Sequence, residues 1–179
     1  MKLIKEFTIP FVGLKIGKHH FEYNVEQAFF EHFEYEDFND VNINVHLKLE
    51  KKATLLELHF KVSGWVNVNC DLTNEPYNQT IENEFDLVVN FGEEYNDEHI
   101  DILIVPHGTY EINIQQYIYE LIILAVPIKR LHPGVENGTL DSEILEKLEE
   151  LSPKLKDKKN EEEETDPRWN KLKKLLTDK

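Results

Sequence analysis

The stretch Val41-Asn42-Ile43-Asn44-Val45-His46-Leu47-Lys48-Leu49 decides the fold. Apolar and polar residues alternate without a break. An extended chain points successive side chains to opposite faces, so the five apolar ones share a face. The same period continues outward in both directions. Before it stand Leu3, Phe7 and Ile9, then Phe21, Tyr23 and Val25. After it come Leu56, Leu58, Phe60 and Val62, then Val66, Val68 and Cys70, then Ile81, Phe85, Leu87, Val89 and Phe91. One dry face and one wet face per strand is the pattern of antiparallel sheets. Lys51-Lys52-Ala53 and residues 71–78 are the expected hairpin or meander connections. A short helix is expected over Val25–Phe33, with Ala28, Phe29 and Phe33 on one side.

The period changes at Asn113. Residues Ile114 to Val126 are apolar nearly all round, with Glu120 the single charge, which predicts a buried helix. Asn113 suits the N-cap, and Gln116 stands three residues later as in a capping box. Pro127 ends the helix, because the residue before a proline avoids helical geometry. A second helix is expected over Ser142–Leu151, where Ile144, Leu145, Leu148 and Leu151 form a stripe and Pro153 follows as a stop. The expected fold class is therefore α+β. A mainly antiparallel β-sheet body, open or barrel-like, fills residues 1–151 with one buried helix, and the C-terminal tail is helical.

Beyond the body, nine of the fourteen residues 152–165 are charged, including Glu161 to Glu164 in a row. Such a segment buries too little apolar surface to order itself and is expected to be a flexible linker. Residues 166–179 then read as a short amphipathic helix. Asp166 suits its N-cap, Pro167 its first position, and Trp169, Leu172, Leu175 and Leu176 make an apolar stripe.

Charge narrows the function classes. The net charge is −15, and no Lys or Arg occurs between Lys61 and Lys129, where 12 acidic residues lie. A surface of this sign repels phosphate backbones. It serves solubility or meets a basic partner. Against it stand two small basic patches: Lys129-Arg130-Leu131-His132-Pro133-Gly134, which follows the buried helix, and Lys154, Lys156, Lys158 and Lys159, largely cancelled by the glutamates beside them. Lys129, Arg130 and His132 could touch phosphate, but so few charges give little affinity at physiological salt. The single Cys70 permits no intrachain disulfide and suits a reducing compartment. The first six residues alternate charged and apolar instead of forming a signal-peptide core, and the longest apolar run, Leu121 to Val126, is far short of a membrane span.

Chemistry is harder to find. No nucleophile elbow, phosphate loop, dinucleotide fingerprint or zinc-protease motif occurs. The eight histidines are scattered apart from the pair His19-His20, and solvated or hydrogen-bonded roles suit them better than a metal site. Cys70 alternates with Val66 and Val68 and reads as a small core residue. Glu120 reads as a structural hydrogen-bond partner or the wet edge of its helix, ahead of a general acid.

Two stretches nevertheless carry a resemblance. One is Gly64-Trp65-Val66-Asn67-Val68-Asn69-Cys70-Asp71-Leu72-Thr73, followed by a strand near Phe85-Asp86-Leu87. The other is Glu120-Leu121-Ile122-Ile123-Leu124-Ala125-Val126-Pro127, completed by Asp166-Pro167-Arg168-Trp169-Asn170-Lys171-Leu172. In order and spacing, over about residues 60–176, they resemble the YceD family of large ribosomal RNA subunit accumulation proteins. In many relatives a second Cys follows the first in a C-x-x-C pattern. Here that position is Thr73, so a metal site is not implied. The resemblance implies a non-enzymatic factor that supports accumulation of large-subunit ribosomal RNA and assembly of the large subunit; the single Cys and the residues at the start suit the cytoplasm, and no cofactor is expected from the motifs. Its partners would be a ribosomal protein or a pre-large-subunit particle, with ribosomal RNA reached through the limited basic patches and no membrane involved. The candidate binding residues are Lys129, Arg130, His132, Asp166, Pro167, Arg168, Trp169 and Leu172. The alternative is an acidic chaperone or binding module for a basic ribosomal protein.

Overall fold

A computed structural model describes residues 4–140 and 143–151 of the chain. Two units are present: a body up to residue 140, and helix α4, Glu143–Leu151, which is treated by itself. The body is built on a five-stranded sheet of β2 (Gly17–Glu26), β3 (Asp40–Lys51), β4 (Leu55–Asn69), β5 (Pro76–Gly92) and β6 (Ile102–Pro106), paired in that order. A two-residue strand β1, Thr8–Ile9, pairs antiparallel with β7, Ile112–Asn113.

The alternating stretch quoted above is β3, at the second position of the sheet. Its register puts Val41, Val45, Leu47 and Leu49 opposite Val66, Val62, Phe60 and Leu58 of β4. All eight are buried. The two runs 56–62 and 66–70 belong largely to one strand, because Gly64 continues the alternation of β4. It pairs with Ile43, and a Cβ built on Gly64 would stand 2.2 Å from the Asn42 carbonyl oxygen. Only glycine fits so close an approach.

The buried face of the sheet carries helix α2, Gln115–Ala125, which lies against β4 and β5. Tyr117 of α2 sits over Phe60 and Phe85, with centroids 6.2 and 6.3 Å away. Helix α1, Gln27–Glu31, brings Phe29 and Phe30 into an aromatic cluster with Phe7, Phe33, Tyr35, Phe38 and Tyr119. Lys51, at the end of β3, donates to the carbonyls of Phe11 and Leu14, 2.9 Å each, and so holds the N-terminal segment to the sheet.

Several expectations need correction. The sheet is open, not a barrel: β2 and β6 are its two ends. Helix α2 fills the space beside β4 and β5, and β6 already has an outer neighbour. Asn96 and Ile104 exchange both backbone hydrogen bonds, at 3.0 and 2.8 Å. Strand β6 itself is parallel to β5, reached by a short return through residues 93–101. Its run Ile102-Leu103-Ile104-Val105 is continuously apolar and shows no alternation to mark it. Val25 belongs to β2, so α1 is shorter than expected and starts at Gln27. Residues 5–7 form a 3-10 turn instead of extending a strand, and Leu3 lies outside the described residues.

Helix α2 is buried on one side only. Ile114, Ile118 and Ile122 are fully buried, while Leu124 is 79% exposed. The N-cap falls at Ile114, one residue after the expected Asn113, and Asn113 supports the start from just outside, its Oδ1 accepting from the Gln115 N–H at 3.1 Å. The capping box does not form, because the Gln116 amide turns the other way and donates to Glu120 at 2.6 Å. Val126 is extended before Pro127, as expected. Helix α4 appears within the range read from its stripe. The linker 152–165 and the helix expected over 166–179 lie outside the described residues. Among the described residues, no helix is long and apolar enough to cross a membrane.

Candidate functional site

The basic stretch after α2 folds onto the turn between β4 and β5, and the contact is made by backbone as much as by side chains. The Asp71 N–H donates to the Arg130 carbonyl at 2.8 Å, and the Arg130 N–H returns to Asp71 Oδ2 at 2.7 Å. The guanidinium lies 3.5 Å from the other carboxylate oxygen. Two residues on, the His132 N–H donates to Cys70 Sγ at 3.4 Å. The His132 Nδ1 accepts from the Gly134 N–H at 2.9 Å, which puts the ring proton on Nε2 and caps the short helix α3, Pro133–Glu136. The ring also meets Tyr77 edge-on at 5.5 Å.

Cys70 is the hub of this clamp. Its thiol is 2% exposed. Burial pushes the thiol pKa up, the largest single effect. The Thr73 hydroxyl and the backbone N–H groups of His132, Thr73 and Leu72 stabilise the thiolate, and together they hold the pKa below its usual value. Thr73, itself buried, thus donates its hydroxyl to the sulfur. Among the described residues, no group of three or more His, Cys, Asp or Glu is placed to hold a metal ion.

Of the candidate binding residues, Arg130 and His132 are drawn into the clamp and partly spent on it, while Lys129 stays exposed. The Arg130 charge also reaches Tyr35. Burial and then Asp37 raise that phenol's pKa, and Arg130 opposes them. Asp166, Pro167, Arg168, Trp169 and Leu172 lie outside the described residues. Asp71 and Tyr77 were not singled out by the sequence. An aspartate after a strand reads as an ordinary turn residue until its partner, 59 positions away, is known.

The second surface is the outer face of the sheet. Several of its acids have a lysine, or a histidine that pairs by charge only when protonated, across the strands. Lys18 pairs with Glu50 at 3.8 Å, His46 with Glu22 at 3.5 Å and His59 with Asp86 at 2.6 Å. Lys61 holds both Glu82 and Glu84, at 2.9 and 2.8 Å. Its hydrogen bond is the main reason that the Glu84 carboxyl titrates below its usual range. The exposed acids of the β5–β6 return, Glu93, Glu94, Asp97, Glu98 and Asp101, form no ion pair among the described residues. The acidity available to a partner thus includes this return and the exposed acids Glu26, Glu31, Glu34, Glu36, Asp37 and Asp40, which likewise form no ion pair among the described residues.

A family model for the large ribosomal RNA subunit accumulation protein YceD matches residues 58–176, well over half of the chain. The match takes in most of β4, all of β5, β6 and α2, and the whole Cys70–His132 clamp. No curated protein and no solved structure matches the chain.

Proposed function

We propose, because this chain belongs to the YceD family and so has a ribosome-related role, that it is a non-catalytic binding factor supporting accumulation of large-subunit ribosomal RNA and assembly of the large subunit in the cytoplasm. The family match carries this reading. The use made of the reactive side chains supports the non-catalytic part. Cys70 is a buried acceptor, Glu120 is exposed and takes the Gln116 amide, and His132 caps α3.

The geometry favours protein as the direct partner. Asp71 offsets Arg130, leaving Lys129 as the exposed cation of that strip, too little for firm phosphate binding. The unpaired acids of the β5–β6 return suit a basic ribosomal protein, either free or already on a pre-large-subunit particle. Those same acids favour the second reading, an acidic chaperone for such a protein.

Sedimentation of cell extracts tests both. An assembly factor travels with pre-large-subunit particles, and its deletion lowers large-subunit ribosomal RNA. A chaperone stays in the free-protein fractions bound to one basic protein. Unchanged ribosomal RNA in the deletion strain would overturn the assembly role. Trp169→Ala probes the tail. If the tail meets a partner, ribosomal RNA falls while the stability of the isolated protein is unchanged. If it packs on its own chain, stability falls instead.

A further inference from the structure

One end of the outer sheet face lacks the lysine pairs found further along it. There Glu26, at the end of β2, stands opposite Asn42 of β3, and Asn42 stands opposite Trp65 of β4. Asp40 lies two residues before Asn42, so its side chain is on the same face. Neighbouring strands are ~4.8 Å apart, which spreads Glu26, Asn42 and Trp65 across roughly 10 Å. With Gln27, Ala28 and Val41 they line an open cleft of about 280 Å³.

The two charged residues that line this cleft are both acidic. Glu26 and Asp40 are exposed carboxylates with no ion-pair partner among the described residues, although Glu50, Glu82 and Glu84 further along the face have lysine partners. Their hydrogen bonds come from neutral donors. Asn24 donates to Glu26 at 2.9 Å, and the Val41 N–H donates to Asp40 at 2.9 Å. Gln27 spends its amide N–H on the Phe38 carbonyl at 2.9 Å and leaves Oε1 buried without a partner. Trp65 is half-buried on the polar face and takes no part in the hydrophobic core. An indole sharing one open cleft with two carboxylates that lack ion pairs is the chemistry that receives a cation, through its ring face and through charge. At about 280 Å³ the cleft lies at the lower end of the roughly 300–1,000 Å³ of small-molecule sites, and because it is open a side chain presented by a larger partner can enter it.

We propose that this cleft seats the guanidinium or ammonium group of an Arg or Lys side chain presented by a basic protein partner. The inference deepens the reading given above by supplying a specific anchor where that reading has only diffuse acidity.

Titration of the full chain with a hexa-arginine peptide tests it, with hexa-lysine and hexa-glutamate for comparison, near physiological ionic strength. The reporter is the Trp65 indole N–H resonance, identified by its loss in Trp65→Phe. A saturable shift with the cationic peptides and none with hexa-glutamate is expected. The pair Glu26→Gln/Asp40→Asn should weaken binding about tenfold. Glu82→Gln/Glu84→Gln removes the same charge further along the same face and should change binding less than about twofold. An equal loss in the two double variants would overturn the proposal in favour of diffuse attraction. Peptide binding that leaves the Trp65 resonance still, or no peptide binding at all, would overturn it too. The two readings fail separately. A titration without the Trp65 shift sinks the cleft and leaves the ribosomal RNA role standing. A deletion strain with normal ribosomal RNA sinks that role and leaves the titration standing.

Discussion

Gly64 is the position where a single atom matters most. An added Cβ would meet backbone on the neighbouring strand, the Asn42 oxygen at 2.2 Å and the Ile43 Cα at 2.8 Å, and neither can rotate away. Gly64→Ala should therefore cost about 3 kcal/mol, read by chemical denaturation, whereas an exposed substitution stays within about 0.5 kcal/mol. Two phenols make a second prediction. Burial first, then the charge of Glu6, pushes Tyr23 up to about 12. Burial first, then Tyr95, Asp97 and Glu120, does the same to Tyr117. A phenol with a raised pKa holds its proton more tightly folded than unfolded. Its contribution is intact below the ordinary value of 10.0 and is lost as pH rises toward about 12. Stability should fall across that window, and Tyr23→Phe or Tyr117→Phe should flatten the fall. Ultraviolet titration should show Tyr23 and Tyr117 among the late-ionising tyrosines.

Whole elements depend on a few long-range bonds. The start of α2 is tied to the N-terminal segment through Asn113, whose amide donates to Thr8 Oγ1 at 2.8 Å while its oxygen accepts from the Gln115 N–H. Gln115 adds a bond from the Ile4 N–H at 2.7 Å. Asn113→Ala removes both bonds together and should cost about 1–2 kcal/mol. Hydrogen exchange should speed up in β1 and the first turn of α2, and leave the β3–β4 ladder protected. The clamp behaves likewise. Asp71→Ala leaves the Arg130 N–H without its acceptor and should cost about 1–2 kcal/mol. Because the 129–132 strip covers Cys70, thiol alkylation should also quicken in this variant. Alkylation no faster than in the native chain would mean that the strip is held by something other than Asp71.

Across the whole molecule, charge is sorted by position. Glu50, Glu57, Glu82 and Glu84 on the outer sheet face have lysines beside them, and the acids of the β5–β6 return have no ion pair among the described residues. Reversing Glu93, Glu94 and Asp97 to Lys should slow association with a basic partner about tenfold, more at low salt than at high. Reversing Glu82 and Glu84 is a poorer probe, because it breaks the pairs with Lys61 as well. If the on-rate ignores both salt and the first set of reversals, the acidity serves solubility alone.

What the sequence by itself determined was everything local in origin. Alternation over 41–49 and 56–70 named the buried side of β3 and β4 residue by residue, because successive side chains of an extended chain must point opposite ways. Pro127 stopped α2 through its own ring, and Asn113 marked its start to within one residue of the N-cap at Ile114. Cys70 read correctly as buried for the same reason of parity. The family motif was legible too, and the family match extends over it. Only the tertiary structure decided the rest. An apolar helix sequence does not say which side stays wet, and Leu124 is exposed because nothing in the described body covers it. Whether the sheet closes depends on what occupies its inner face and its edges, here α2 and the Asn96–Ile104 bridge. The clamp joins residues 59 positions apart, and the cleft joins Glu26, Asp40 and Trp65 across three strands. Proximities of that kind are created by strand pairing, which carries no signature at the positions it brings together.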